Sequence, residues 1–225
     1  QCNPSPGHLD AAKYVGKYLK ATAGLGLLFS SRHNSTLEGF IFFPVRGPLS
    51  SEMIAFADAN WGPQDASRPS PTNVREISLN ETKSICGHIM FYGGAPFYWA
   101  SHKEPRTSGS SCEAEIRATN MCTKSVLWFR HILNDLGLLP SSHPTPIYND
   151  NRGAVDWAKT TSTRGLRHVN IQENVIRESI HTFHEVTVSH IAGPCNPADI
   201  FTKEFKSDQT FRNVRDVLLC YASSS

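Results

Sequence analysis

The order of apolar and helical stretches after residue 52 constrains the fold of this chain more than any other feature. Short apolar runs of strand length first occur three in succession and then alternate with amphipathic stretches of helical period. The predicted strands are residues 53–59, 84–92, 95–101, 146–149 and 184–192. Three successive strands, followed by strands that alternate with helices, predict an α/β fold with a mixed five-stranded sheet flanked by helices.

Turns and helices support the same division of the chain. Gly93-Gly94 separates the second and third strands, and such a pair between two strand-like runs is a strong β-hairpin signal. Gly137 marks the end of the first helix. The predicted helices of this region are residues 113–136, 152–159, 170–181, a segment from 197, and about 208–221.

The first 50 residues have a different character and are interpreted as a small appendage. A helix is predicted at 8–21, and two apolar runs at 25–29 and 37–43 suit a hairpin. A linker rich in Pro, Gly and Ser follows at 44–51. We therefore expect an appendage, a main domain and a C-terminal helix with a tail, at residues 1–50, 51–206 and 207–225.

The composition excludes several classes of protein. The 22 Lys and Arg residues nearly balance the 20 Asp and Glu residues, so that no polybasic tail indicates nucleic-acid binding. Hydrophobic residues make up 39% of the chain, which excludes a disordered protein. The six cysteines form no Cys-x-x-Cys pair, which disfavours zinc ribbons and favours reduced thiols. No apolar run approaches the roughly 18 residues of a membrane span.

The first carboxylate of interest lies in the first predicted strand of the main domain. Alternation with a period of two places Ile54, Phe56 and Asp58 on one face of that strand. Two large apolar residues followed by an acid are unusual for a face in contact with solvent. An acid that turns outward at the strand end is an equally good interpretation of the pattern alone.

The long helix distinguishes between two glutamates. Its apolar stripe recurs at intervals of three and four residues, through Thr119, Cys122, Val126, Phe129, Leu133 and Leu136. Glu115 lies four residues before Thr119 and therefore heads this core-facing stripe. Glu113 aligns instead with the polar face, so that we expect it to be solvated and to stabilise the helix N terminus. That polar face comprises Arg117, Asn120 and Lys124.

Asp150 and Asp199 lie at junctions between elements. Asp150 follows an apolar strand and precedes a helix, where α/β proteins commonly place their sites. Each acid also has a structural interpretation, as a helix N-cap for Asp150 and as a complement to the helix dipole for Asp199. The neighbouring Asn149 and Asn151 can cap equally well, which weakens the first interpretation. With Asn196 as N-cap, the helix-dipole interpretation of Asp199 is as good as a functional role.

These four acids suggest a metal centre. Carboxylates gathered at strand ends and helix starts would repel one another and raise one another's pKa values. Divalent cations would neutralise them, and ligands that are all oxygen favour Mg²⁺ or Mn²⁺ over zinc. A pair of such ions, about 3.5–4 Å apart, activates water and stabilises the leaving oxygen in phosphodiester cleavage.

Five short motifs occur in a characteristic order along the chain. They are Ala-Asp-Ala-Asn-Trp at 57–61, Ser-Ser-Cys-Glu-Ala-Glu at 110–115, Tyr-Asn-Asp-Asn at 148–151, Arg-His-Val-Asn-Ile at 167–171 and Ala-Asp-Ile-Phe-Thr-Lys at 198–203. Together they resemble the ribonuclease H domain of copia-type LTR retrotransposon polyproteins. Residues 99–103 are similar to that family's Trp-Ser-Ser-Lys-Lys segment, and residues 24–30 resemble the end of its reverse transcriptase. The resemblance thus covers nearly the whole chain.

The resemblance implies a ribonuclease H-like fold, with the appendage as a remnant of the reverse transcriptase. It implies endonucleolytic cleavage of the RNA strand of an RNA–DNA hybrid with two Mg²⁺ ions, for which Mn²⁺ is a possible substitute. The implied partners are the hybrid and the reverse transcriptase of the same polyprotein, with no membrane. The implied location is a cytoplasmic virus-like particle, with the nucleus as a further compartment. The acids that match the family's catalytic and metal-binding set are Asp58, Glu115, Asp150 and Asp199.

Several basic side chains are candidates for phosphate contacts. For any single one, ordinary solvated charge is the more common explanation, and Arg167 and His168 are favoured because they lie in a family-like motif. His190 lies nine residues before Asp199, a position suited to a histidine of product release, but strand alternation favours a packing role for it. The candidates for nucleic-acid binding are Lys103, Arg106, Arg167 and His168, with Arg164 nearby.

Two other functions remain open at this point. Cys112, Asn170 and Glu173-Asn174 depart from the residues usual in the family, which would suit a catalytically weak or inactive transposon relic that only binds nucleic acid. The four acids are intact, which argues against such a relic. Another nuclease or an integrase on the same fold is disfavoured by the absence of a zinc-binding His/Cys cluster and by the late position of Asp199.

Overall fold

The computed structural model describes residues 6–27, 29, 53–62, 83–139, 143–161, 173–205 and 207–221. The helices are α1 (Pro6–Ala21), α2 (Ser111–Asp135), α3 (Arg152–Lys159), α4 (Asn174–His181) and α5 (Asp208–Leu218). The strands are β1 (Leu25–Gly26), β2 (Met53–Asn60), β3 (Ile85–Tyr92), β4 (Ala95–Lys103), β5 (Thr145–Asn149), β6 (Val186–His190) and β7 (Cys220–Tyr221). Two short 3₁₀ helices, Gly193–Cys195 and Pro197–Phe201, lie between β6 and α5.

Strands β2 to β6 form one mixed sheet in the order β4-β3-β2-β5-β6. Within this sheet, β3 pairs antiparallel with both β2 and β4. Strand β5 pairs parallel with both β2 and β6. The parallel pairs require crossover connections, and the helices α2, α3 and α4 provide them. The ribonuclease H-like, five-stranded mixed sheet flanked by helices is therefore confirmed.

The alternation along β2 divides the core between the two faces of the sheet. Ala55 and Ala57 belong to the cluster that packs against α2, together with Ile116 of that helix. Ile54 and Phe56 belong to the opposite cluster, which includes Ala198 and the end of α5. Asp58 continues this second face, so the strand itself directs its carboxylate toward the Pro197–Phe201 helix.

The structure differs from the sequence prediction at several element ends. The segment from 197 is a 3₁₀ helix of five residues and not an α-helix. The α4 helix begins at Asn174, whereas the predicted start at 170 lies outside the described residues. Strand β4 extends two residues farther than predicted, to Lys103.

The elements α1 and β1 contact the last two described elements, α5 and β7. Strand β1 pairs antiparallel with β7 near the C terminus, and the Tyr18 and Phe211 rings meet edge to face at 6.0 Å. The second strand of the predicted hairpin, at 37–43, lies outside the described residues. The predicted domain boundaries stay predictions. None of the described helices combines the length and the apolar character needed to cross a membrane.

Candidate metal centre

Three aspartates meet at one end of the sheet. Asp58 lies near the C-terminal end of β2, Asp150 follows β5, and Asp199 lies in the Pro197–Phe201 helix. Because β2 and β5 run parallel, their C-terminal ends lie at the same edge. One carboxylate oxygen of each aspartate lies within 4.8 Å of the others, so that the three together can hold a metal ion.

Asp58 is the most enclosed member of the centre. Its side chain is fully buried, so the interpretation of an acid that turns outward at the strand end is wrong. The Thr202 hydroxyl donates to its Oδ2 atom, and the Lys203 ammonium lies 3.0 Å from its Oδ1 atom. Both carboxylate oxygens therefore have partners, which fixes the orientation of the group.

The structure contradicts the capping interpretation of Asp150, whereas Asp199 does lie in the first turn of the Pro197–Phe201 helix, as its helix-dipole interpretation requires. The Asn151 side chain caps α3 by accepting from the Ala154 N–H, at 3.0 Å. The Asn196 side chain similarly caps the Pro197–Phe201 helix. Because the asparagines perform the capping, the carboxylates of Asp150 and Asp199 remain available to the centre.

Glu115 lies near Asp58 and Asp150, but it is not one of the three acids whose oxygens meet within 4.8 Å. Its side chain is only 7% exposed, and its Oε2 atom accepts from the Asn149 side-chain amide at 2.9 Å. Burial, followed by the charge of Asp58 and, less strongly, that of Asp150, raises the pKa of Glu115 to about 8. The core-facing placement that helical periodicity predicted for Glu115 thus brings it close to two of the aspartates.

Glu113 is not solvated, and that prediction is wrong. Its carboxylate lies 2.5 Å from Arg117 and accepts from the Gly109 N–H at 2.8 Å. Arg117 is itself buried and pairs with Glu104, which lies just beyond β4, at 3.0 Å. Glu113 therefore belongs to a buried ion-pair network on the opposite flank of α2, and Glu115 belongs to the aspartate centre.

His190 is exposed and does not serve a packing role. Its Nε2 atom lies 3.1 Å from the backbone oxygen of Asp150. Its proximity lowers the pKa of Asp150, although burial and the charge of Asp58 raise that pKa more strongly. The alternation holds for Val186 and Val188, which are buried, and fails at His190 because this residue ends the strand.

The basic candidates occupy different positions. Lys103 is exposed at the end of β4. The Arg106 side chain is 52% exposed and lies 3.7 Å from Glu173. Arg167 and His168 lie outside the described residues. Nucleic-acid binding by all four stays a prediction.

The sequence did not identify the residues that position the centre. The Asn149 amide donates to Glu115, and the Asn196 amide donates to the Ala57 carbonyl at 3.0 Å. Thr202 and Lys203 lay in a family-like motif without an assigned role; the spacing of four between Asp199 and Lys203 was the available signal. Gly87 lies opposite Asp58 on β3, and in the sequence it carried no signal beyond being a glycine inside a strand.

The electrostatics of the centre suit a divalent cation. The group that could hold a metal ion among the described residues offers carboxylate oxygens, which are donors that hard divalent cations prefer. Burial and the charge of Asp58 raise the pKa of Asp199, as they do for Asp150 and Glu115, even though Lys203 is present. The acids therefore retain uncompensated repulsion, and their geometry fits a bound metal.

This repulsion predicts an unusual dependence of stability on pH. In a metal chelator, we expect the free energy of unfolding to fall by about 2 kcal/mol between about pH 6.5 and pH 8.5. Because the pKa of Glu115 is raised from 4.5 to about 8, its stabilising contribution is complete below pH 4.5 and is lost as the pH rises through 8. Burial lowers the pKa of His88 to about 4, so that this side chain adds to stability as the pH rises. That contribution is nearly complete by about pH 6.5 and therefore does not cancel the loss at higher pH.

Urea unfolding across this pH range measures the effect. Glu115→Gln should flatten the slope, whereas Glu178→Gln, at an exposed position of α4, should leave it intact. An unchanged slope in Glu115→Gln would show that another group causes the dependence.

Several curated relatives of the chain are retrotransposon polyproteins. The Retrovirus-related Pol polyprotein from transposon TNT 1-94 of Nicotiana tabacum is 24% identical over 202 residues, which cover 89% of this chain and 13% of the relative. The Pol polyprotein from transposon RE1 of Arabidopsis thaliana is 26% identical over 212 residues, which cover 93% and 12%. The chain thus spans about an eighth of their length, and no family model matches it.

Comparison with solved structures gives lower sequence identities. A ribonuclease H1 isolated from compost has a TM-score of 0.48 at 13% identity, covering 73% of this chain and 99% of that chain. The protease–reverse transcriptase of prototype foamy virus has a TM-score of 0.44 at 15% identity, covering 84% and 22%. The polyprotein relatives confirm the resemblance to retrotransposon polyproteins.

Proposed function

We propose that this chain, whose relatives are Pol polyproteins of plant transposons, is a ribonuclease H that acts during reverse transcription. Its substrate would be an RNA–DNA hybrid, and it would hydrolyse phosphodiester bonds of the RNA strand with two Mg²⁺ ions. The observation that carries this proposal is the convergence of the Asp58, Asp150 and Asp199 carboxylates within 4.8 Å. Glu115 completes the set from the first turns of α2.

The four acids have a common role in this proposal, which is to hold the cations. Bound divalent cations would supply an activated water and would stabilise the leaving 3′-oxygen. Asp58 is suited to hold the cations because it is buried at the centre and its charge raises the pKa values of the other three acids. Oxygen-only ligation supports Mg²⁺ as the cofactor and Mn²⁺ as a substitute.

Other residues of the chain would orient these ligands. The Thr202 hydroxyl fixes one oxygen of Asp58, and the Asn149 amide fixes one oxygen of Glu115. Asn149 is in turn held in β5, next to β2, where its amide also approaches the Ala57 carbonyl at 3.4 Å. Ligands held by packed strands and side-chain hydrogen bonds lose little freedom when a cation binds.

The hybrid would be recognised through its backbone shape and its 2′-hydroxyl groups, with little reading of base sequence. Lys103 and Arg106, together with Arg167 and His168, are the proposed phosphate contacts. The reverse transcriptase portion of the same polyprotein is the proposed partner that presents the hybrid. A cytoplasmic virus-like particle or the nucleus is the proposed compartment.

Cleavage of a hybrid with a labelled RNA strand tests the proposal. We expect Mg²⁺- or Mn²⁺-dependent cleavage that leaves 3′-hydroxyl and 5′-phosphate ends, and we expect Asp150→Asn to abolish it. Asp156→Asn removes an exposed acid of α3 and is the matched control, which should cleave at the rate of the unaltered chain.

Two outcomes would contradict the proposal. Binding of the hybrid without cleavage in either metal would favour the relic that only binds nucleic acid. Equal cleavage by the unaltered chain and by Asp150→Asn would show that the activity does not use this centre.

A further inference from the structure

A lysine occupies the middle of the aspartate centre. The Lys203 Nζ atom lies 2.8 Å from Asp199, 3.0 Å from Asp58 and 3.8 Å from Asp150. In the part of the chain that the structure describes, it is the cation that salt-bridges all three aspartates. Its ammonium therefore supplies positive charge to the three carboxylates.

Two hydrogen bonds to the backbone fix the position of Lys203. The Lys203 N–H donates to the Asp199 carbonyl at 2.9 Å, which aligns the two side chains on one turn. The preceding residue is anchored as well, because the Asn60 amide donates to the Thr202 carbonyl at 3.1 Å. The base of the side chain is thus fixed, while the side chain itself is 35% exposed and has a path to solvent.

The ammonium and a divalent cation would use the same oxygens. The Oδ1 atoms of Asp58 and Asp199 contact Lys203, and a cation held by these atoms would lie about 2.0–2.1 Å from each if it were Mg²⁺. Two positive charges at such close range in a half-buried cleft repel strongly. Occupancy by one therefore opposes occupancy by the other.

We propose that Lys203 is the resident counter-ion of the metal-free centre and that a divalent cation must displace its ammonium toward solvent in order to bind. The lysine would thereby hold the acids together without metal and would lower the affinity of the centre for metal. This inference rests on the proposed function only in naming a divalent cation as the displacing ligand.

Metal affinity provides a test that does not depend on cleavage. We expect Lys203→Gln to bind Mn²⁺ at least about tenfold more tightly than the unaltered chain, because it removes a competing positive charge. Titration followed by electron paramagnetic resonance of free Mn²⁺, or by calorimetry, measures the affinity. Lys203→Arg should keep the weak affinity, and Lys159→Gln, which removes an exposed charge of α3, should not change it.

The same variant should be less stable without metal. In a chelator, Lys203→Gln loses the counter-ion of three acids, so that its Tm should fall below that of the unaltered chain. Equal or weaker Mn²⁺ binding by folded Lys203→Gln would overturn the proposal, because the lysine would then assist the metal or act independently of it.

A second measurement uses the unaltered chain and does not depend on the folding of a variant. Acetylation of lysines followed by mass spectrometry reports whether an ammonium is freed from its partners. We expect saturating Mn²⁺ to increase the acetylation rate of Lys203 relative to that of Lys159. An unchanged or reduced rate would overturn the displacement.

The two proposals fail in different ways. Tighter Mn²⁺ binding by Lys203→Gln, without hybrid cleavage by the unaltered chain, would support the displacement of Lys203 and contradict the proposed ribonuclease H function. Cleavage by the unaltered chain, with unchanged Mn²⁺ affinity in Lys203→Gln, would support the ribonuclease and contradict the lysine.

Discussion

Asp58→Asn is expected to lower the rate of hybrid cleavage by at least about 10³-fold, since oriented charge at a reacting centre contributes on this scale. Asp58 is the only fully buried acid of the candidate centre, and its charge raises the pKa values of the other three acids. An amide has the same shape but presents a hydrogen-bond donor and no charge. It therefore cannot neutralise a cation, and its NH2 group can meet Thr202 only if the direction of that hydrogen bond is reversed.

Two readouts separate this effect from a loss of folding. Cleavage is measured under single-turnover conditions, and the Mn²⁺-induced rise in Tm is measured on the same samples. We expect Asp58→Asn to lose both and to keep a cooperative unfolding transition. Asp135→Asn, at an exposed position near the end of α2, is the matched control and should keep both. Cleavage by Asp58→Asn within tenfold of the unaltered chain would contradict the central role of this acid.

Local periodicity was sufficient to predict much of the sheet and part of the centre. The alternation of Ile54, Phe56 and Asp58 corresponds to one face of β2, because this strand is regular and is paired on both sides. The period of α2 placed Glu115 toward the core for the same reason, since its buried stripe continues through Thr119, Cys122 and Val126. Both inferences depend only on neighbours within one element.

Long-range contacts account for the failures. Glu113 and Arg117 form a polar face in the sequence, but Arg117 is buried and Glu113 is partly buried, because Glu104, from beyond β4, supplies a third charge to the network. The position of Lys203 among three acids likewise depends on β2 and β5, which lie far from it in sequence. The pattern of a single element does not contain such pairings, and only the tertiary structure brings the partners together.

Gly87 illustrates a positioning residue that carries no chemical group. It lies on β3 directly opposite Asp58, and the side chains of Phe201 and Thr202 pack onto it. A Cβ atom at this position would lie 2.7 Å from the Thr202 methyl carbon and 2.8 Å from the Phe201 Cβ atom. Real Cβ atoms do not tolerate such distances, so the segment that carries Asp199 and Lys203 must move if this glycine is replaced.

Gly87→Ala is therefore expected to lower cleavage by about 10²-fold, because displacement of a ligand by about 1 Å has effects of this size. We also expect the free energy of unfolding to fall by about 1–3 kcal/mol, as is usual for overpacked cores. Rates measured well below the Tm, together with urea unfolding, separate the two effects. Gly16→Ala is the matched control: nothing lies within 4 Å of its added methyl group on α1, so activity should be unchanged. If Gly87→Ala cleaves within threefold of the unaltered chain, the close approach of this segment to β3 does not position the centre.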